Sequence, residues 1–365
     1  MANSDSPDRG GFEQRMIEIL NAGALNLALA IGQRLGLFET MATLQRPEPV
    51  ALIAVNAGLH GRYVREWLGI MATGDIVDVQ ANGDGEETYY LPPERIPFLT
   101  RSGGEQNLAL YSKEIPLLTC CALDQLVVAM ATGAGIPYSQ YPAFQEFMSE
   151  LSDAKHSKSL LRDFLPSVAE GAVQKKLGQG ARVCDIGCGE GVALLLMAAA
   201  FPQSSFVGID IDWETLAVAR KGANRLGLEN VEFVLRDAAE ASQDESWQAR
   251  FDYITAFDAI HDQQQPLQVL QAVRQLLAAD GWFSMIDIAA HSAHRDNLDH
   301  PLGPFLYTVS LLHCLPVGMA GGGAGLGMMW GREQASQLLE AAGFSRVTIE
   351  AIPNDPFNLH FLCRK

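Results

Sequence analysis

The stretch "VCDIGCGEG", residues 183–191, decides how this chain folds. Three glycines, Gly187, Gly189 and Gly191, alternate within five residues, and the acids Asp185 and Glu190 stand among them. The apolar run "RVCDI" leads in, and "GVALLLMAAAFP" leads out with helical spacing. A strand that turns through glycines into a helix presents bare backbone amides and the positive helix end to an anionic group. Glycine lets that group approach without a side chain in the way.

Working outward, strand-like runs alternate with helical ones to the end of the chain. The strands are "RVCDI", "SSFVGID", "VEFVLRD", "FDYITAF", "GWFSMIDI", "SRVTIEAI" and "LHFLCRK". Between them lie helical segments such as "WETLAVARKGANRLG", "PLQVLQAVRQLLAAD" and "GREQASQLLEAAG". This alternation predicts an α/β domain with a parallel sheet covered on both faces and ligands at the carboxyl ends of its strands. The last two runs are joined by "PNDPFN" without a helix, which predicts an antiparallel hairpin at the end of the sheet.

A nicotinamide dinucleotide would want G-x-G-x-x-G and an acid about 20 residues on. Here the third glycine comes one place early, Val192 stands where the fingerprint wants glycine, and Asp185 precedes the first glycine by two. The pattern D-x-G-x-G-x-G instead resembles the first motif of class I methyltransferases that use S-adenosylmethionine. The resemblance implies a Rossmann-like seven-stranded methyltransferase sheet, with Gly187, Cys188, Gly189 and Gly191 beside the methionine part of the cofactor and Asp185 helping to hold its ammonium. It implies that Asp210, closing "FVGID", takes the two ribose hydroxyls, a task a carboxylate suits because it accepts two hydrogens. Ile211 would pack on adenine, Asp237 would read the adenine amino group beside the backbone of Ala238, and Phe257 would line the methyl side.

On the acceptor side, "FDAIHDQQQPLQVL" puts His261 and Asp262 just past the fourth of these strands. The stretch resembles the His-Asp region of small-molecule O-methyltransferases, whose base is that histidine; the tryptophan usual after the pair is Gln263 here. A histidine titrates near neutrality and suits removal of a hydroxyl proton. Methylation of nitrogen or carbon is the alternative outcome for the same acceptor pocket.

Upstream, residues from about 12 to 73 read as helices. "PVALIAVNAGLHGRYVREWLGIMATGDIVDV" is a helix-turn-helix pattern, and Asn82-Gly83-Asp84-Gly85 marks a hairpin between short strands. This predicts an N-terminal winged-helix domain over 1–97, a helical connecting and substrate-covering region over 98–175, and the methyltransferase domain over 176–365. Those methyltransferases carry such a domain for dimerisation, and "RYVREWLGIMATGDIVD" and the glycine-rich "SLLHCLPVGMAGGGAGLGMMWG" resemble stretches of a bacterial winged-helix methyltransferase group. The glycine-rich run reads as a flexible connection or a lid over the acceptor.

A winged helix raises a second class of function, a transcription regulator with a cofactor-sensing domain. Residues 1–100 hold 7 Lys or Arg against 13 Asp or Glu, however, and the presumed recognition helix offers Arg62 and Arg65 beside Glu66 and the apolar Trp67, Leu68, Ile70 and Met71. A DNA reader wants a basic face. These side chains suit a homodimer contact or the covering helices better.

At 365 residues and a formal net charge of −17, the chain is long enough for two domains and at least one well-buried core and repels phosphate backbones, so no nucleic-acid partner is expected. The polar opening "MANSDSPDRGGFEQ" reads as a loose tail without a leader pattern, and uninterrupted apolar runs fall short of a membrane span. A cytoplasmic location and no membrane partner follow as expectations. Six scattered cysteines are expected as free thiols. Cys184 and Cys188 lack a second pair at zinc spacing, His291, His294, His300, Asp296 and Asp299 read as a solvated loop, and no metal is expected. "NDPF", residues 354–357, reads as a turn.

Overall fold

The computed structural model describes residues 9–365. The expectation of a loose N-terminal tail lies partly outside them; from Arg9 the chain is already helical, and Arg9–Leu35 is one helix. The described chain divides into two compact units, before and after the Pro116–Leu117 bond.

In the first unit, helices Val50–Ala57 and Gly61–Thr73 are joined through Gly58, left-handed at φ 66°. His60 caps the second helix by accepting from the Arg62 amide. Strands β1 (Glu48–Pro49), β2 (Asp78–Ala81) and β3 (Glu87–Tyr90) form an antiparallel wing in the order β1-β3-β2. Of the four residues expected to face a partner or the covering helices, Trp67, Leu68 and Met71 are buried inside this unit instead, while Ile70 is exposed. Trp67 donates its Nε1–H to the Ala28 carbonyl at 2.9 Å and meets the Phe38 ring edge-on at 5.2 Å.

In the second unit, strands β4 (Arg182–Ile186), β5 (Ser205–Asp210), β6 (Val231–Leu235), β7 (Phe251–Phe257) and β8 (Leu277–Ile288) are parallel. Strands β9 (Arg346–Ile352) and β10 (Asp355–Arg364) form the terminal hairpin, with β10 inserted antiparallel beside β8. The order β6-β5-β4-β7-β8-β10-β9 reverses between β4 and β7. Chain crossovers there leave in opposite directions, which opens a crevice at the carboxyl ends of these two strands.

Residues 277–280, read from sequence as the end of a helix, are strand: the helix Pro266–Leu276 stops and β8 begins at once. Leu277 pairs with Phe251, and a register shift precedes the Tyr253–Trp282 pair. Sheet pairing thus overrides the helical propensity of "LLAAD".

Two helical stretches of the second unit contain a π turn, Leu160–Phe164 and Ser310–Cys314, and each is followed after one residue by a proline, Pro166 or Pro316. Pro316 has no N–H for the Leu312 carbonyl, and the Tyr141 hydroxyl donates to that carbonyl instead at 2.8 Å. The first unit repeats the device: Pro116 leaves the Ser112 carbonyl without its helical donor, and Asn26 Nδ2 donates to it at 3.2 Å.

By length and composition, Gly11–Leu35, Leu108–Thr132 and Gly303–Gly322 are long and apolar enough to cross a membrane. Counting uninterrupted apolar runs misses them because scattered polar residues break each run. Gly303–Gly322 is 56% buried within the structure.

Candidate functional site

The glycine loop stands at the carboxyl end of β4, with Gly187, Gly189 and Gly191 all at positive φ (65°, 53° and 77°). They do different work. A Cβ at Gly187 would come within 2.8 Å of the Ala259 Cβ, and one at Gly191 within 2.6 Å of the Phe233 ring, so these two let protein pack on protein. A Cβ at Gly189 would meet nothing within 4 Å, and Gly189 is the place where the loop opens. Cys188 donates its amide to the Ile209 carbonyl and packs its sulfur toward Gly208.

Asp210 ends β5 against this loop. Its carboxylate accepts from the Gly189 amide at 2.9 Å and from the Asp212 amide at 3.0 Å. Burial raises its pKa, against the lowering effect of those amides. Each oxygen keeps a lone pair for a hydroxyl. Ile211 follows with 62% of its surface exposed, an apolar platform beside the carboxylate. Asp237 caps the short helix Ala238–Gln243 through the Ala239 amide at 2.8 Å, and Ala238 is buried under it.

Asp185 stands on β4 just before the loop. It is only 3% exposed and accepts from the Thr255 hydroxyl on β7 at 2.6 Å. Burial pushes its pKa up to about 7, offset by Thr255 and reinforced by Asp210. Phe257, at the end of β7, packs edge-on against His156 and Phe164 with centroids at 4.9 and 5.9 Å.

Across the crevice, His261 is 2% exposed, and its Nδ1 lies 2.7 Å from Asp287 Oδ1. Its Nε2 lies 3.5 Å from Asp262. Burial alone would lower its pKa, but the carboxylates of Asp287 and Asp262 outweigh this and hold it well above the usual histidine value. His313, buried and neutral with its pKa lowered to about 4 by burial, sits among the rings of Tyr138, Tyr141 and Phe144. Burial also raises Asp258, next to the Lys155 ammonium at 3.3 Å. Asp185, Asp210, Asp258, Asp262 and Asp287 thus all stand at or just past the carboxyl ends of β4, β5, β7 and β8, an acidic setting that favours a cation.

Local reading of the sequence singles out Asp210, the glycines and His261; it passes over Asp287 and Thr255, their hydrogen-bond neighbours in the fold. Asp287 had a signal, as the lone acid inside the apolar run "SMIDIAA". The glycine-rich run after Met319 packs closely at its edges: Cβ atoms at Gly323 and at the distant Gly135 would strike the Gly318 carbonyl and the Ala320 amide at 2.2 and 2.1 Å, whereas one at Gly322 would meet nothing within 4 Å. The histidine loop after β8 scatters its partners, His291 to Glu333 and His300 to the Ala289 carbonyl. Asn354, left-handed at φ 62°, makes the turn between β9 and β10.

Residues 177–303 match the family model of a methyltransferase domain, and residues 23–101 match that of an Rv2258c-like winged HTH domain. The ubiquinone biosynthesis O-methyltransferase of Actinobacillus pleuropneumoniae serotype 5b (strain L20) is 33% identical over 129 residues, 34% of this chain and 51% of that protein. The chain therefore spans about half the length of the curated relatives it matches. Human N-acetylserotonin methyltransferase, solved in complex with S-adenosylmethionine, superposes with a TM-score of 0.69 at 17% identity, over 100% of this chain and 99% of that one. Mitomycin 7-O-methyltransferase does so with a TM-score of 0.68 at 16% identity, over 98% and 99%. At these identities the two structures establish a common fold.

Proposed function

We propose, from the premise of a methyltransferase domain joined to an N-terminal winged-helix domain, that this chain is an S-adenosylmethionine-dependent methyltransferase acting on a hydroxyl of a small molecule. One arrangement supports the reading: the open Gly189 is bonded to Asp210 at the end of β5, and the buried pair of His261 and Asp287 joins the segment just past β7 to the end of β8.

The residues fit the cofactor. Asp210 has lone pairs left for the ribose hydroxyls, Ile211 offers an exposed apolar face to adenine, and Asp237 has a second carboxylate oxygen for its amino group. The acids at these strand ends suit a ligand of positive charge and disfavour the product that has lost the sulfonium. When bound, the cofactor supplies a methyl group already activated by a positive sulfur. What remains for the chain is to align the acceptor and take its proton. Asp287 accepts from His261 Nδ1–H, so that Nε2 is the nitrogen directed to the acceptor side, and stabilises the imidazolium once the proton has arrived.

The carboxylates around His261 favour its protonated form, and this supports a second reading, transfer to an amine nitrogen, which needs no base. Phenols and amines offered to the enzyme with and without His261→Ala separate the two: only the phenol reaction depends on the histidine.

The chain acts in the cytoplasm as a homodimer formed through its N-terminal domain. Phe12, Met16, Leu20, Leu27, Ile31 and Leu35 recur at helical spacing along Arg9–Leu35 and are each at least 42% exposed, a stripe wide enough for a second copy.

Calorimetry with adenosylhomocysteine tests the cofactor assignment. The wild type binds it and Asp210→Ala loses that affinity; no binding by the wild type, or unchanged binding by the variant, overturns the reading.

A further inference from the structure

We propose that His261, Asp262 and Cys314 form a binding site for a thiophilic divalent cation of the zinc class. A nitrogen, a carboxylate oxygen and a sulfur from these residues lie within 4.8 Å of one another, the only such group of three among the described residues. Zinc takes these donors at about 2.0–2.3 Å, so tetrahedral ligands stand roughly 3.3–3.8 Å apart, a small contraction from the present spacing.

The surroundings are those of a ligand set. Asp287 holds His261 Nδ1 at 2.7 Å, the outer carboxylate that fixes the tautomer of a ligating histidine and leaves Nε2 for the ion. Asp262 Oδ1 and His313 Nε2 are buried without a hydrogen-bond partner, and His313 is only 2% exposed. His313 Nδ1 lies 3.7 Å from Cys314 Sγ and 3.9 Å from Asp262 Oδ2, so a further nitrogen borders the same space. Cys314 ends the π turn Ser310–Cys314, which Tyr141 pins through the Leu312 carbonyl. Widened turns of this kind gather at functional sites.

Three protein donors leave a tetrahedral ion one open position, and a sulfur among them selects zinc-like ions over magnesium or calcium. Binding expels the Cys314 thiol proton and the Nε2 proton of the His261 imidazolium to solvent, and the two charges of the ion are met by the Cys314 thiolate and the Asp262 carboxylate. A cation held there occupies the Nε2 lone pair, so His261 cannot accept a proton while the site is filled. That consequence rests on the base reading; the site itself does not.

Titration of the reduced, purified chain with Co2+ tests it. The expected result is a near-ultraviolet thiolate charge-transfer band with intense visible bands, saturating at one ion per chain and displaced by Zn2+. Cys314→Ser removes the charge-transfer band, and His261→Gln weakens Co2+ binding at least tenfold, while Cys120→Ser and Cys121→Ser leave both unchanged. No band in the wild type, or a band kept in Cys314→Ser, overturns the site. Circular dichroism on the same samples reports the folded state of each variant, and adenosylhomocysteine binding tests the cofactor assignment independently.

Discussion

His261 and Asp287 face each other at 2.7 Å across the carboxyl end of the sheet, both almost wholly buried. A carboxylate in that position fixes which ring nitrogen carries the hydrogen and stabilises the charge that proton transfer creates. Asp287→Asn keeps the shape and removes the charge. Turnover on a hydroxyl acceptor is expected to fall roughly 100-fold or more in both Asp287→Asn and His261→Ala, the scale of general-base catalysis, with adenosylhomocysteine affinity unchanged. Near-normal turnover in His261→Ala reduces this pair to packing.

The glycine loop separates folding from binding. At Gly191 an added methyl collides with the Phe233 ring on a left-handed backbone, whereas at Gly189 it projects into open space. Gly191→Ala is expected to cost about 2–4 kcal/mol, from strain and overpacking together. Gly189→Ala carries the backbone strain alone, and so melts higher than Gly191→Ala, yet it loses at least tenfold in adenosylhomocysteine affinity. Thermal unfolding and calorimetry on the two variants check this, and equal affinity in wild type and Gly189→Ala removes the loop from the cofactor site.

Asp185 makes the fold and its ligand sensitive to pH. Its folded pKa of about 7 stands above the unfolded value near 4, so the folded chain keeps a proton that the unfolded chain releases between these values. The contribution is complete below about pH 4 and is lost as pH rises through 7; its full size is on the order of 4 kcal/mol. Asp185→Asn, which still accepts from Thr255, is expected to match the wild type near pH 4 and to exceed it in stability at pH 8. A cationic ligand lowers the same pKa, so cofactor binding at pH 7 releases a proton, visible as a dependence of the calorimetric heat on buffer ionisation enthalpy. No such dependence separates Asp185 from the cofactor.

The exposed stripe on Arg9–Leu35 predicts the assembly. Leu20, 68% exposed, lies at its middle. Leu20→Arg is expected to turn a sedimenting dimer into a monomer while adenosylhomocysteine binding persists. A wild type that sediments as a monomer leaves the stripe without the second copy.

Much of this was legible in sequence where a backbone requirement is written into neighbouring residues. Glycines that must be left-handed, an acid that closes an apolar strand, and the seven alternating runs all act locally. What escaped comes from pairing between distant segments. Thr255 reaches Asp185 because β4 and β7 are adjacent and in register at these residues. Asp287 reaches His261, and Cys314 joins Asp262, through loops that only the finished sheet brings together. Residues 277–280 look helical alone and become strand because Phe251 offers a partner. The apolar face of Gly61–Thr73 is plain from its spacing, but whether it faces a partner or its own core depends on Ala28 and Phe38, far along the chain.

Tyr141 tests how far such distant contacts shape the acceptor side. Its hydroxyl is the donor that replaces the missing N–H of Pro316 at the Leu312 carbonyl, and its ring lies against His313 with centroids at 4.7 Å. Tyr141→Phe preserves the ring and leaves a buried carbonyl unmatched, which costs about 1–3 kcal/mol. A π turn held by a remote hydroxyl loosens when that hydroxyl goes, so the thiol of Cys314 is expected to react faster with a thiol reagent in Tyr141→Phe than in the wild type. Equal thiol reactivity, with stability lowered by the expected amount, would mean that the turn keeps its shape unaided and that the hydroxyl serves stability only.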